Sequence, residues 1–102
     1  MTAKIILVNF VNAKTATARA ANALNRLDAE INGIQQAAAA MEERARRSFF
    51  AAQNLLTKTR QRERTEAAYA EAIKAEKAAR QRWLNTAATM TTDQLHHLRM
   101  KF

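Results

Sequence analysis

The chain has 102 residues, a net charge of +8, one Gly, no Pro and no Cys. That length suits one ordinary domain; the lack of Cys excludes disulfides and thiolate metal sites, and a single glycine excludes a Gly-rich phosphate loop. No run approaches the ~20 apolar residues needed to span a bilayer.

Apolar residues make up 48% of the chain, but 24 of them are alanine. Six of the larger ones (Ile5, Ile6, Leu7, Val8, Phe10 and Val11) crowd the first eleven positions. Alanine is the best helix former yet buries few methylenes, each contributing roughly 0.8 kcal/mol. The composition therefore argues for helices that approach closely, and against a self-contained core. The charge is uneven. Residues 1–43 hold four basic and four acidic groups, while residues 44–102 hold thirteen basic and five acidic ones. Such asymmetry points the second part toward an anionic partner.

Residues 1–11 form an apolar docking segment. Ile5 to Val11 reads equally as a short strand or as a first helical turn, because short apolar runs cannot be separated by periodicity. Lys4, this run and Ala18-Arg19-Ala20 imitate a secretory signal. The apolar stretch lies at the lower limit of about 7–15 residues and Asn9 interrupts it, so no signal peptide is expected.

A long helix is predicted over residues 12–56. Its stripe runs through Ala16, Ala20, Ala23, Leu27, Ile31, Ile34, Ala38, Met41, Ala45, Phe49, Ala52 and Leu56 at steps of three or four. Those steps keep side chains on one helix face. Two rows repeat every eleven residues, which predicts a nearly straight or slightly right-handed seam. Asn32-Gly33 is the weakest point, but the stripe continues in phase across it, so continuity is expected.

Residues 57–66 carry no apolar side chain. They are either a polar basic turn, which would fold the second helix back as an antiparallel hairpin, or a continuation of the helix. The Arg62–Glu66 spacing favours continuation, whereas burial of Tyr69 to Leu84 favours the hairpin. The hairpin is the expectation taken. A second helix follows over 67–90. Thr91-x-x-Gln94 with Asp93 then reads as an N-cap for a short helix over 93–100, with Leu95, Leu98 and Phe102 as its apolar contacts. The predicted fold is all-α: an elongated long-helix or helical-hairpin, coiled-coil-like single domain with a short C-terminal helix.

No catalytic constellation emerges, and no cofactor or metal is expected. His96 and His97 are adjacent, so on a helix they point about 100° apart and cannot share a metal. Glu42–Arg46, Glu43–Arg47 and Glu76–Arg80 are spaced for helix ion pairs. Arg44, Arg47, Lys58, Arg60, Arg62, Arg64, Arg80 and Arg82 are the candidate contacts for an anion or nucleic acid, within residues 44–82. Tyr69 and Trp83 are the sparse candidates for base stacking.

The doublets Phe49-Phe50, Leu55-Leu56 and Trp83-Leu84 set large groups about 100° apart. One narrow seam cannot bury both members, so a broad apolar face or two neighbours are implied. The candidate assembly interface is accordingly Leu27, Ile31, Ile34, Met41, Phe49, Phe50, Leu55, Leu56, Tyr69, Ile73, Trp83 and Leu84. These features predict a non-enzymatic structural subunit that packs against protein partners or copies of itself in a larger helical assembly. By analogy of shape, the setting is a bacteriophage virion, or otherwise the cytoplasm. The alternative is a basic helical protein that binds nucleic acid. A third reading, an amphipathic membrane-active helix, is weakened by the scarcity of bulky residues beyond the first eleven.

Overall fold

A computed structural model describes residues 2–99. Four helices follow in order: α1 Ala3–Ala38, α2 Glu43–Ala52, α3 Leu55–Ala87 and α4 Thr92–Arg99. Among the described residues there is no strand, and the all-α, helical-hairpin expectation holds.

The structure resolves one open reading and moves the element boundaries in two places. Ile5 to Val11 is helical, with the Thr2 hydroxyl accepting a hydrogen bond from the Ile5 N–H at 3.4 Å. The helix predicted over 12–56 stops at Ala38, and α2 then begins at Glu43. The Arg46 guanidinium donates to the carbonyls of Ala38 (3.2 Å), which also accepts the Met41 N–H at 3.0 Å, and of Met41 (2.9 Å), so it ties down the end of the broken helix. Arg46 is therefore not the partner of Glu42 that its spacing suggested. The second boundary change is the turn, which lies before residues 57–66 rather than within them. Asn54 adopts φ 53°, a left-handed conformation that asparagine tolerates, and its carbonyl accepts the Lys58 N–H at 3.0 Å. Residues 57–66 continue as regular helix inside α3, as their Arg and Gln content allows.

The short helix is read correctly at its start. The Thr91 hydroxyl accepts the Gln94 N–H at 3.2 Å, while the Gln94 side chain accepts the Thr91 N–H at 2.9 Å. This reciprocal pair is a capping box. Leu98 is buried and Leu95 half-buried. The expected end at Met100 and the contact by Phe102 lie outside the described residues.

Chain contacts sort into two compact units: a terminal unit (Met1–Ala18 with Glu71–Phe102) and a middle unit (Arg19–Ala70). In the middle unit α1 and α3 run antiparallel. Asp28 pairs with Arg62, and Ile34 and Lys58 line one crevice. Leu27, Ile31, Ile34 and Ala38 form its core, with α2 contributing Phe49 to the same crevice as Ile34. In the terminal unit the same two helices again run antiparallel. The Thr17 hydroxyl meets the Ala72 carbonyl at 3.2 Å, and Ile6 and Asn9 share a crevice of about 20 Å³ with Ala79 and Arg82.

The covered positions correct the predicted eleven-residue repeat. Along α1 they include Ala3, Ile6, Phe10, Ala13, Thr17, Ala20, Leu24, Leu27, Ile31, Ile34 and Ala38, at strict alternating steps of three and four. Along α3 Leu55, Lys58, Arg62, Thr65, Tyr69, Ala72, Glu76, Ala79, Trp83 and Thr86 do the same. This is a seven-residue repeat, the period of paired helices in a coiled coil. Ala16, Ala45, Ala52 and Leu56, assigned to the stripe from sequence, are exposed.

Candidate interaction surface

The two seams differ in chemistry. The α1 seam is almost wholly apolar, whereas α3 offers Lys58, Arg62, Thr65, Glu76 and Thr86 among its covered positions. No residue of α3 is fully buried, although the helix is 33 residues long. Its long polar side chains on the seam (Lys58, Arg62 and Glu76) are half-buried, as expected where stems cover apolar surface and charges stay near water. Arg62 is the best held of them, donating to Asp28 on α1 and, at 2.8 Å, to Glu66 one turn further on. The hydrogen bond to Asp28 and the charge of that carboxylate raise its pKa above the ordinary guanidinium value. Arg62 and Thr65 are thus hydrogen-bonded, and among the described residues no buried side-chain polar atom lacks a partner.

The candidate interface residues separate into three groups. Leu27, Ile31 and Ile34 are buried inside the middle unit, so they form the chain's own core and are not an outward interface. Met41, Phe49, Phe50, Leu55, Tyr69, Ile73 and Trp83 are half-buried. Only Leu56 and Leu84 stand well exposed, at 64% and 52%. The doublets behave accordingly. Phe49 and Phe50 are both half-buried with ring centroids 6.3 Å apart, but Leu55-Leu56 and Trp83-Leu84 each turn one member in and one out. Leu56 projects beside an open cleft of about 510 Å³ lined also by Phe50, Ala51, Asn54 and Leu55.

Two exposed aliphatic residues belong to the segment 1–11: Ile5 at 49% and Val11 at 43%. The signal was present in the sequence. Ile5 to Val11, interrupted only by Asn9, sets apolar side chains around most of the helix once wound, so a single partner helix leaves part of it uncovered.

The basic candidates also divide. Lys58 and Arg62 occupy the α3 seam, and Arg47 is paired with Glu43 at 2.6 Å. Arg44, Arg60, Arg64, Arg80 and Arg82 are exposed and form no ion pair among the described residues. Tyr69 and Trp83 lie half-buried on the seam. No cluster of three or more His, Cys, Asp or Glu with metal-binding geometry occurs among the described residues, and His96 and His97 are exposed on α4. No described helix is long and apolar enough to cross a membrane. Comparison with protein-family models, curated proteins and solved structures gives no match.

Proposed function

We propose that this chain is a non-enzymatic structural subunit whose thin core is completed by helices of neighbouring molecules. The observation that carries this reading is its accessible surface of 7662 Å². A compact chain of 11.5 kDa would expose about 5,800 Å², so roughly a third more surface stays in water. Five apolar residues are buried among those described, and none is a large side chain below 2% exposure. Burial on this scale leaves little to offset the entropy of ordering the helices. Contacts with other subunits would supply the missing cover. The bacteriophage virion is the setting we propose for that assembly, and it rests on analogy of architecture alone.

Light scattering on the purified chain over a wide concentration range tests the proposal. Mass rising with concentration, together with a thermal midpoint that rises in step, is the expected result. A monomer with a sharp, concentration-independent transition overturns it. The nucleic-acid reading retains only the exposed arginines named above, since Lys58 and Arg62 serve the fold. A protein that binds duplex DNA with a steep salt slope, lost when Arg60 and Arg64 become Gln, would favour that reading instead.

A further inference from the structure

We infer that the outer flank of the first three turns of α1 is a docking face for an anionic lipid surface. The flank carries Ile5 and Val11, both exposed, with Val8 half-buried between them. The covered side of the same turns is already taken by Ile6 and Phe10 on the seam. Lys4 and Lys14 lie beyond the two ends of this run in sequence, and both are exposed; the Lys14 ammonium rests 5.6 Å from the ring centroid of Phe10, one turn back. The first acidic residue of the chain is Asp28, so residues 1–27 hold four cations and no anion. Within the terminal unit as a whole, eight basic residues face three acidic ones, a net of +5.

This chemistry selects among occupants. A second copy seated symmetrically would bring the same lysines face to face, which like-charge repulsion opposes. Nucleic acid would use the cations but leave Ile5 and Val11 against phosphate, and the nearby Trp83 is turned into the seam. The crevice in this unit lies instead between α1 and α3, at Ile6, Asn9, Ala79 and Arg82. The flank is a convex helix side, which an acyl boundary can receive without any matching shape. Lysines at the edge of an apolar stripe extend their stems along it and place their charges at lipid headgroups. The chain would lie on such a surface rather than cross it.

The test is co-flotation of the full chain with vesicles of phosphatidylcholine mixed with phosphatidylglycerol, against pure phosphatidylcholine. Flotation with the mixed vesicles only, weakening as salt rises, is expected. Ile5→Gln with Val11→Gln leaves the charge unchanged and should weaken binding roughly tenfold. Lys4→Gln with Lys14→Gln should weaken it roughly twenty-fold. Ala45→Gln, at an exposed position of the middle unit, should change nothing, and circular dichroism checks that each variant keeps its helices. Three results overturn the inference. One is no flotation; another is equal flotation by the Ile5/Val11 variant, especially with duplex DNA bound as well; the third is an oligomer, in the absence of lipid, that the same two substitutions abolish. The last outcome would leave the subunit proposal standing, because it would identify a second copy as the cover.

Discussion

The middle and terminal units are built from the same two helices, yet only one of them has a packed core. In the middle unit, Leu27, Ile31, Ile34 and Ala38 are buried, and Arg62 ties α3 to Asp28. In the terminal unit, Leu98 is the one buried apolar residue among those described, while Ile5, Val11 and Leu84 stand in water. The charge divides as +3 for the middle unit and +5 for the terminal one. The difference does not lie in helix propensity, since both units are alanine-rich and fully helical in their paired segments. It lies in which large side chains meet a partner within the chain. A helix pair can be well formed and still leave several large apolar side chains half in water.

The comparison breaks most visibly where the core is real. Ile31→Ala should destabilise the chain by about 2–3 kcal/mol in urea unfolding, at the low end for buried aliphatic truncation because the site is thinly walled. A change below 0.5 kcal/mol would mean that the middle unit has no working core. Next comes the ion pair. Arg62→Met should lower the urea midpoint and loosen the α1–α3 pairing. The sign of its pH dependence is fixed, because the folded-state pKa of Arg62 is raised. Its contribution is fully present below the ordinary guanidinium pKa and is lost only as pH climbs through the higher folded value. The difference between wild type and Arg62→Met should thus show no loss on raising the pH from 7 to 10. A loss in that window would contradict the assignment.

Gly33→Ala sharpens the comparison in the other direction. Gly33 sits in mid-helix, and a Cβ added there meets nothing within 4 Å. The substitution should stabilise the isolated chain by about 1 kcal/mol, read by thermal or urea unfolding. Destabilisation would mean that another molecule packs closely at this point. Thr91→Ala removes the α4 cap and should cost about 1 kcal/mol, seen as faster amide exchange in 92–99. The smallest effect belongs to Leu84→Ala, within about 0.5 kcal/mol for the isolated chain because half the side chain is already in water.

Much of this fold is legible in the residues. The helical class, passage through Gly33, the Thr91–Gln94 cap and the Glu43–Arg47 and Arg62–Glu66 pairs all follow from local chemistry. Leu27, Ile31 and Ile34 also set the phase of the α1 seam correctly. Away from them the phase drifts, because alanines at 16, 18, 20, 21 and 23 mark several faces and orient none. Thr17 and Ala13 hold seam positions that Ala16 was expected to share. The break after Ala38 falls inside a run of four alanines, where no local residue signals a stop; Arg46, eight residues later, supplies the hydrogen bond that accommodates it. The turn rests on Asn54, a single residue that tolerates a left-handed φ, whereas the polar run 57–66 is made of residues that a helix accommodates well. For the surface, exposure separated Leu56 and Leu84 from the seam residues beside them, which spacing alone could not do.

Amide hydrogen exchange on the purified chain, followed from low to high concentration, tests most directly whether other molecules complete this fold. The account predicts that amides of Leu27 to Ala38 are the best protected at every concentration, while those of Ala3 to Ala18 and Glu71 to Ala87 exchange quickly when dilute and slow as molecules associate. Strong, uniform protection of both units in a dilute monomer would contradict it.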